Sequence, residues 1–272
     1  MFNYLKLKKN KNYTYIIAEI GINHGGNLKV AMNLIKAASR TGVDAVKFQT
    51  YNTELRVKDK KSDLFYILKK CELQLHDFKT LKDYAFSKKL DFISTPFDFN
   101  SSEYLYSINT KIVKIASFDV INMPFLRHIK KTHKNIIFST GMSNLNEIKK
   151  AYSYLKNKEN EVSILHCISS YPLNPHDANL NNIKCLQDNF KNSLIGYSDH
   201  FKGNKVSELA TGLGIRILEK HFMLNGQNNC VDFAVSSDEK SMKQLVNNVR
   251  DNSKILGNYN PALTTVQKPI KK

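Results

Sequence analysis

At 272 residues the chain has room for one large domain, and a hydrophobic share of 42% with a charged share of 24% suits an ordinary globular protein. No stretch approaches the ~20 apolar residues that cross a bilayer, the Lys-rich start (Lys6, Lys8, Lys9, Lys11) precedes too short an apolar run for a secretory signal, and Cys71, Cys167, Cys185 and Cys230 stand too far apart for a zinc ribbon or disulfide framework, so a reducing cytoplasm is expected. The formal net charge of +17 comes from lysines scattered along the sequence instead of one dense arm, which argues against nucleic-acid or membrane binding and leaves a surface field attractive to anionic substrates.

In chain order, short apolar runs alternate with longer amphipathic segments. Runs of strand length occupy 14–20, 44–50, 91–97, 112–117, 135–141, 162–167, 194–198 and 215–221. Between them lie helical patterns such as LKVAMNLIKAASRTG and LNEIKKAYSYLKN. This repetition predicts an α/β protein, a single (β/α)8 TIM barrel over residues 1–257, with 258–272 as a loop-like carboxyl-terminal tail. An open doubly wound sheet uses the same alternation but usually carries a GxGxxG turn. GINHGG, after the first run, lacks that spacing.

Barrel enzymes hold their chemistry at the carboxyl ends of the strands. Nearly every run here ends on polar residues: Glu19 with Asn23 and His24, Lys47 with Gln49, Thr95 with Asp98, Lys114 with Ser117, Ser139 with Thr140, His166 with Ser169 and Tyr171, Asp199 with His200, and Glu219 with Lys220 and His221. Charged groups inside strand-like runs are expensive to bury unless paired or useful, so a catalytic mouth outweighs a set of coincidences. For any single residue a structural ion pair remains the bland alternative.

At these ends the sequence resembles the sialic acid synthase family, whose members make nonulosonic acids including N-acetylneuraminic, legionaminic and pseudaminic acid. The resemblance runs from about 15 to 257 and is carried by AEIGINHGG (18–26), VKFQT (46–50), FISTPFD (92–98), KIASFD (114–119), STGMS (139–143), LHCISSYP (165–172), GYSDH (196–200) and LEKHF (218–222). It implies attack of the phosphoenolpyruvate methylene on an amino-sugar aldehyde, addition of water at the enol carbon and loss of phosphate. His200 and His221 match the ligands of a divalent metal, manganese first with magnesium or cobalt as alternatives, acting as a Lewis acid. Lys47, Lys114, Thr95, Ser117 and Ser139 match positions that hold the phosphate and carboxylate of phosphoenolpyruvate. Glu19, Gln49, Tyr171 and Asp232 match positions near the sugar, and Ser169 is expected to bind substrate with them.

Three departures stand out. The resemblance implies a small antifreeze-like domain, supplying an arginine to a partner subunit's sugar site, that no segment here matches; a homodimer or a separate cap protein is the corresponding expectation. The segment 51–71 is shorter than the family's loop, and Ser169 stands where N-acetylneuraminate synthases commonly have asparagine, so a modified acceptor is open. The competing readings are another phosphoenolpyruvate-condensing or aldolase-type barrel, a non-catalytic or cap-dependent phosphometabolite-binding barrel and, last, a nucleic-acid binder.

Overall fold

The computed structural model describes residues 2–257, 262–263 and 265–270, so the expected tail lies partly outside the described residues. Among these residues the strands β1 (Tyr15–Gly21), β2 (Ala45–Thr50), β3 (Asp91–Pro96), β4 (Ile112–Ile115), β5 (Asn135–Ser139), β6 (Glu161–Cys167), β7 (Leu194–Asp199) and β8 (Ile217–His221) run parallel in sequence order. β1 pairs with β8, from Tyr15↔Ile217 to Glu19↔His221, and the barrel closes. The expected fold is the observed one.

Strand bounds differ from the sequence reading by one or two residues. β4 stops at Ile115 because the chain turns into a 3-10 helix, Ser117–Ile121, and β5 stops at Ser139, before Thr140 donates its N–H to Leu165 O. β8 starts only at Ile217 because Gly214, at a φ of 78°, and the two residues after it complete the turn from the preceding helix. The segment 51–71, read as loop, holds two short helices, Thr53–Arg56 and Asp63–Cys71, capped by the side chains of Asn52 and Ser62.

Period-two alternation sorts each strand into an outer and an inner set. Ile16, Ala18, Val46, Phe48, Phe92, Val113, Phe138 and Leu218 join the core beneath the helices. Ile17, Ala45, Ile93, Ile112, Ile137, Leu165 and Ile217 fill the lumen, and Tyr4 and Leu7 of the amino-terminal helix Tyr4–Lys9 pack with the same cluster. Gly196 of β7 belongs to that layer: a Cβ there would collide with Ile217 O and Leu165 Cδ2. The lumen is therefore apolar and covered below by that helix, and the next inward layer, toward the carboxyl ends, is polar.

Candidate active site

The polar layer floors a cavity of about 430 Å³. All the residues expected to form a site line it: Glu19, Lys47, Gln49, Thr95, Lys114, Ser117, Ser139, Ser169, Tyr171, His200, His221 and Asp232. The reason is parity, since Glu19, Lys47, Lys114, Ser139 and His221 continue the inward rows begun by Ile17, Ala45, Ile112, Ile137 and Ile217.

The same rule sends other strand-end residues elsewhere. His166 faces outward, its Nε2 2.9 Å from Ala178 O, and Asp98 caps the helix Phe99–Ser107, accepting from Ser101 N at 2.7 Å. Asp199 and Lys220 form an outward, fully buried ion pair at 3.2 Å, to which Ser207 adds a hydroxyl donor. Their roles are structural. Asn23 is intermediate: it donates to Phe222 O at 2.9 Å and accepts from Asp232 N at 2.9 Å, fixing the loop that carries Asp232.

The ionic centre is an alternating cluster. Lys47 Nζ lies 3.2 Å from Glu19 Oε2 and 3.3 Å from Glu219 Oε1, and Ser198 donates to Glu219 Oε1 at 2.8 Å. Burial penalises charge on Lys47, yet the two carboxylates outweigh it and hold its ammonium above the ordinary range. Burial likewise pushes Glu219 up, but Lys114 and Lys47 outweigh it and bring its carboxyl down to about 2. Glu19 is shifted upward, chiefly by burial, which Lys47 only partly opposes. Two buried carboxylates of opposite tendency thus share one lysine. Lys114 stands apart, donating to Ser139 Oγ at 2.6 Å, its pKa lowered by burial.

The histidines stand at one edge, ring centroids 5.5 Å apart, with the Tyr171 ring 3.9 Å from that of His200. Burial and then its histidine neighbour depress His200 to about 3, so its imidazole is neutral; Nδ1 lies 2.8 Å from Ile168 O, to which it donates, leaving Nε2 a lone pair. Burial alone would lower His221, but Asp232, 3.2 Å away, raises it. Gly21, at a φ of 55° where the β1–β2 register shifts, has no Cβ to crowd Glu19 and Asp232, whose oxygens would lie 3.3 and 3.2 Å from one. Among the described residues no group of three or more His, Cys, Asp or Glu is arranged to hold a metal.

Besides apolar lining, four cavity residues with a charged, hydroxyl or thiol side chain lie outside the expected site. Glu219 shares the parity of His221 and was findable on that ground; Ser198 and Cys167, paired in register, follow the same rule. Arg56 had no such signal. It sits in the helix Thr53–Arg56 and turns its guanidinium over the Phe97 ring at 3.6 Å.

The chain is similar to known proteins in both sequence and fold. A family model described as NeuB family matches residues 34–261. An uncharacterized protein of Methanocaldococcus jannaschii is 42% identical over 245 residues, 90% of this chain and 72% of that protein. The N,N'-diacetyllegionaminic acid synthase of Campylobacter jejuni is 38% identical over 260 residues, 90% of this chain and 78% of that enzyme. Among solved structures, the N-acetylneuraminic acid (sialic acid) synthetase of Leptospira borgpetersenii, in complex with citrate, superposes with a TM-score of 0.92 at 35% identity, covering 96% of this chain and 91% of that one.

Proposed function

Since the chain belongs to the NeuB family, we propose that it condenses phosphoenolpyruvate with an N-acetylated amino-sugar aldehyde to give a nonulosonic, sialic-type acid and phosphate. A bond forms between the phosphoenolpyruvate methylene and the aldehyde carbon, water adds its oxygen to the enol carbon, and the carbon–oxygen bond to phosphate breaks. The observation that carries this reading is one cavity holding two buried ammonium groups, six hydroxyls, two buried carboxylates and a neutral histidine.

Lys114, already seated on Ser139, and Lys47, beside Thr95 at 3.4 Å, clamp the phosphate and carboxylate of phosphoenolpyruvate, with Ser117 supplying a further hydroxyl. Bound anion draws Lys47 away from its carboxylates. Glu19, the carboxyl raised by burial, then accepts a proton from the attacking water, while Glu219 stays charged and holds the lysines in place. Gln49, Ser169, Tyr171 and Asp232 line the acceptor's side of the cavity and orient its hydroxyls.

His200 and His221 would hold a divalent metal, manganese being the ion the family resemblance implies, and such an ion when bound supplies Lewis-acid polarisation of the aldehyde. The fit rests on the neutral imidazole of His200 and its free Nε2. The reading includes a cover for the mouth, from a homodimer partner or a separate antifreeze-like protein: Leu64, Met142, Tyr171 and Val231 stand exposed on the cavity lining, where an open mouth admits water. Catalysis in the cytoplasm suits the free thiols of Cys71, Cys167, Cys185 and Cys230; among the described residues no helix is long and apolar enough to cross a membrane.

The test is incubation with manganese, phosphoenolpyruvate and a panel of N-acetylated hexosamines, with products identified by mass spectrometry. The expected product has the acceptor's mass increased by pyruvate. Unchanged acceptors throughout would count against the reading.

A further inference from the structure

We propose that Arg56 is the specificity residue for an acylamido substituent on the acceptor sugar, its guanidinium receiving the acyl carbonyl and Leu64, Ile67 and Phe97 the acyl carbon. The inference rests on the synthase reading above and names the part of the acceptor that this site selects.

Arg56 is half-buried at the cavity wall, a place where a cation normally has a carboxylate partner. Among the described residues it forms no contact ion pair, although Asp119 and Asp232 attract its charge from farther off. Nη1 donates to Gln49 Oε1 at 3.2 Å, and the guanidinium lies 3.6 Å from the Phe97 ring centroid and 4.9 Å from that of Tyr51. These contacts hold the planar group in one orientation while most of its N–H donors stay unused. A fixed set of donors on a cavity wall is a preorganised receptor for oxygen.

Gln49 locates that receptor relative to the chemistry. A Cβ on Gly21 would lie 3.5 Å from Gln49 Nε2, 3.3 Å from Glu19 Oε1 and 3.2 Å from Asp232 Oδ2, so the Gln49 amide bridges the ionic floor and Arg56. Arg56 is thereby placed beside Gln49 and on the side of Asp232, residues assigned above to the acceptor.

The surroundings decide the substituent. Leu64 and Ile67, both substantially exposed, and Phe97 line the cavity with Arg56. A phosphate monoester would lose its hydration against apolar walls with a single cation to face it, a heavy desolvation cost. An acylamide fits both parts, with a carbonyl for the guanidinium and a methyl for the walls.

The test compares wild type, Arg56→Gln and Arg56→Lys on a hexosamine acceptor, on the same hexose with hydroxyl in place of the acylamide and on the 6-phosphorylated hexosamine. Initial rates are read at saturating phosphoenolpyruvate, and thermal melting checks that each variant folds. Acceptor binding is read separately, by saturation-transfer NMR on the acetyl methyl. Arg56→Gln should raise KM for the acylamido acceptor about tenfold or more, the weight of hydrogen bonds to a charged group, and should weaken the methyl signal. KM for the hydroxyl analogue and for phosphoenolpyruvate should hold, and Arg56→Lys, a charge without the planar donors, should not restore the loss. Equal shifts for both acceptors, a shift in phosphoenolpyruvate KM, or a loss confined to the phosphorylated acceptor would overturn the proposal. The NMR signal is independent of turnover: a wild type that binds the acylamido sugar through Arg56 and turns nothing over contradicts the synthase reading alone.

Discussion

Two kinds of side chain carry the proposed chemistry, and each makes its own prediction. Lys114 has given up hydration for the Ser139 hydroxyl and the Ile115 carbonyl, and burial outweighs the attraction of Glu219 on its charge, so a bound anion adds compensation that the site alone does not supply. Lys114→Met keeps the apolar stem and should raise KM for phosphoenolpyruvate about 10- to 100-fold in steady-state assays while moving acceptor KM far less; equal rises would point to general damage. His200→Ala and His221→Ala should each weaken manganese binding, read by calorimetry, by more than the roughly 10- to 100-fold that loss of an outer-shell partner costs. Metal affinity unchanged in both variants would contradict the assignment. Much of this was legible because parity is written in the chain: a charged residue two positions after a lumen residue such as Ile17, Ala45, Ile112 or Ile217 must face the mouth. Arg56 was not, because its orientation is set by Phe97 and Gln49, partners that come together only once β2 and β3 pair.

At the level of elements, the barrel's interior depends on small residues where strands crowd. Gly196 leaves the space that the Leu165 side chain fills, against the backbone of β8. Gly196→Ala must push β7 from its neighbours, at a cost of about 1–3 kcal/mol in urea unfolding, and because Ser198 and Glu219 ride on the displaced strands it should also weaken phosphoenolpyruvate binding. Wild-type stability in that variant would contradict the packing described for the lumen. The eight strands were legible from alternation of apolar runs with amphipathic segments, whereas their ends were not. β4 and β5 end where backbone turns begin, at Ala116 and Thr140, and no apolar pattern marks those positions. The helices Thr53–Arg56 and Asp63–Cys71 were hidden for a related reason: each is too short for the periodicity of its side chains to stand out.

The whole molecule should be acid-sensitive in a defined window. Burial lowers His24 and His133 from the ordinary value of 6.5 to about 4. Between those values the unfolded chain takes up protons that the native state refuses, so stability must fall as pH drops from about 6.5 to about 4. His24→Gln and His133→Gln should each flatten that slope in urea titrations, and an unchanged slope in both would show that these imidazoles titrate normally. The fold as a whole was the most legible feature, since the repeat, the polar strand ends and the eight motifs all pointed to one barrel. In the proposed reaction, carbon–carbon bond formation and the release of phosphate are coupled in this cavity. The most direct measurement is phosphate release from phosphoenolpyruvate with and without an N-acetylated amino-sugar aldehyde, in manganese and after chelation. The account predicts release only with aldehyde and metal together, one phosphate for each acceptor consumed. Phosphate released without acceptor, or acceptor consumed without phosphate as in an aldolase, would contradict it.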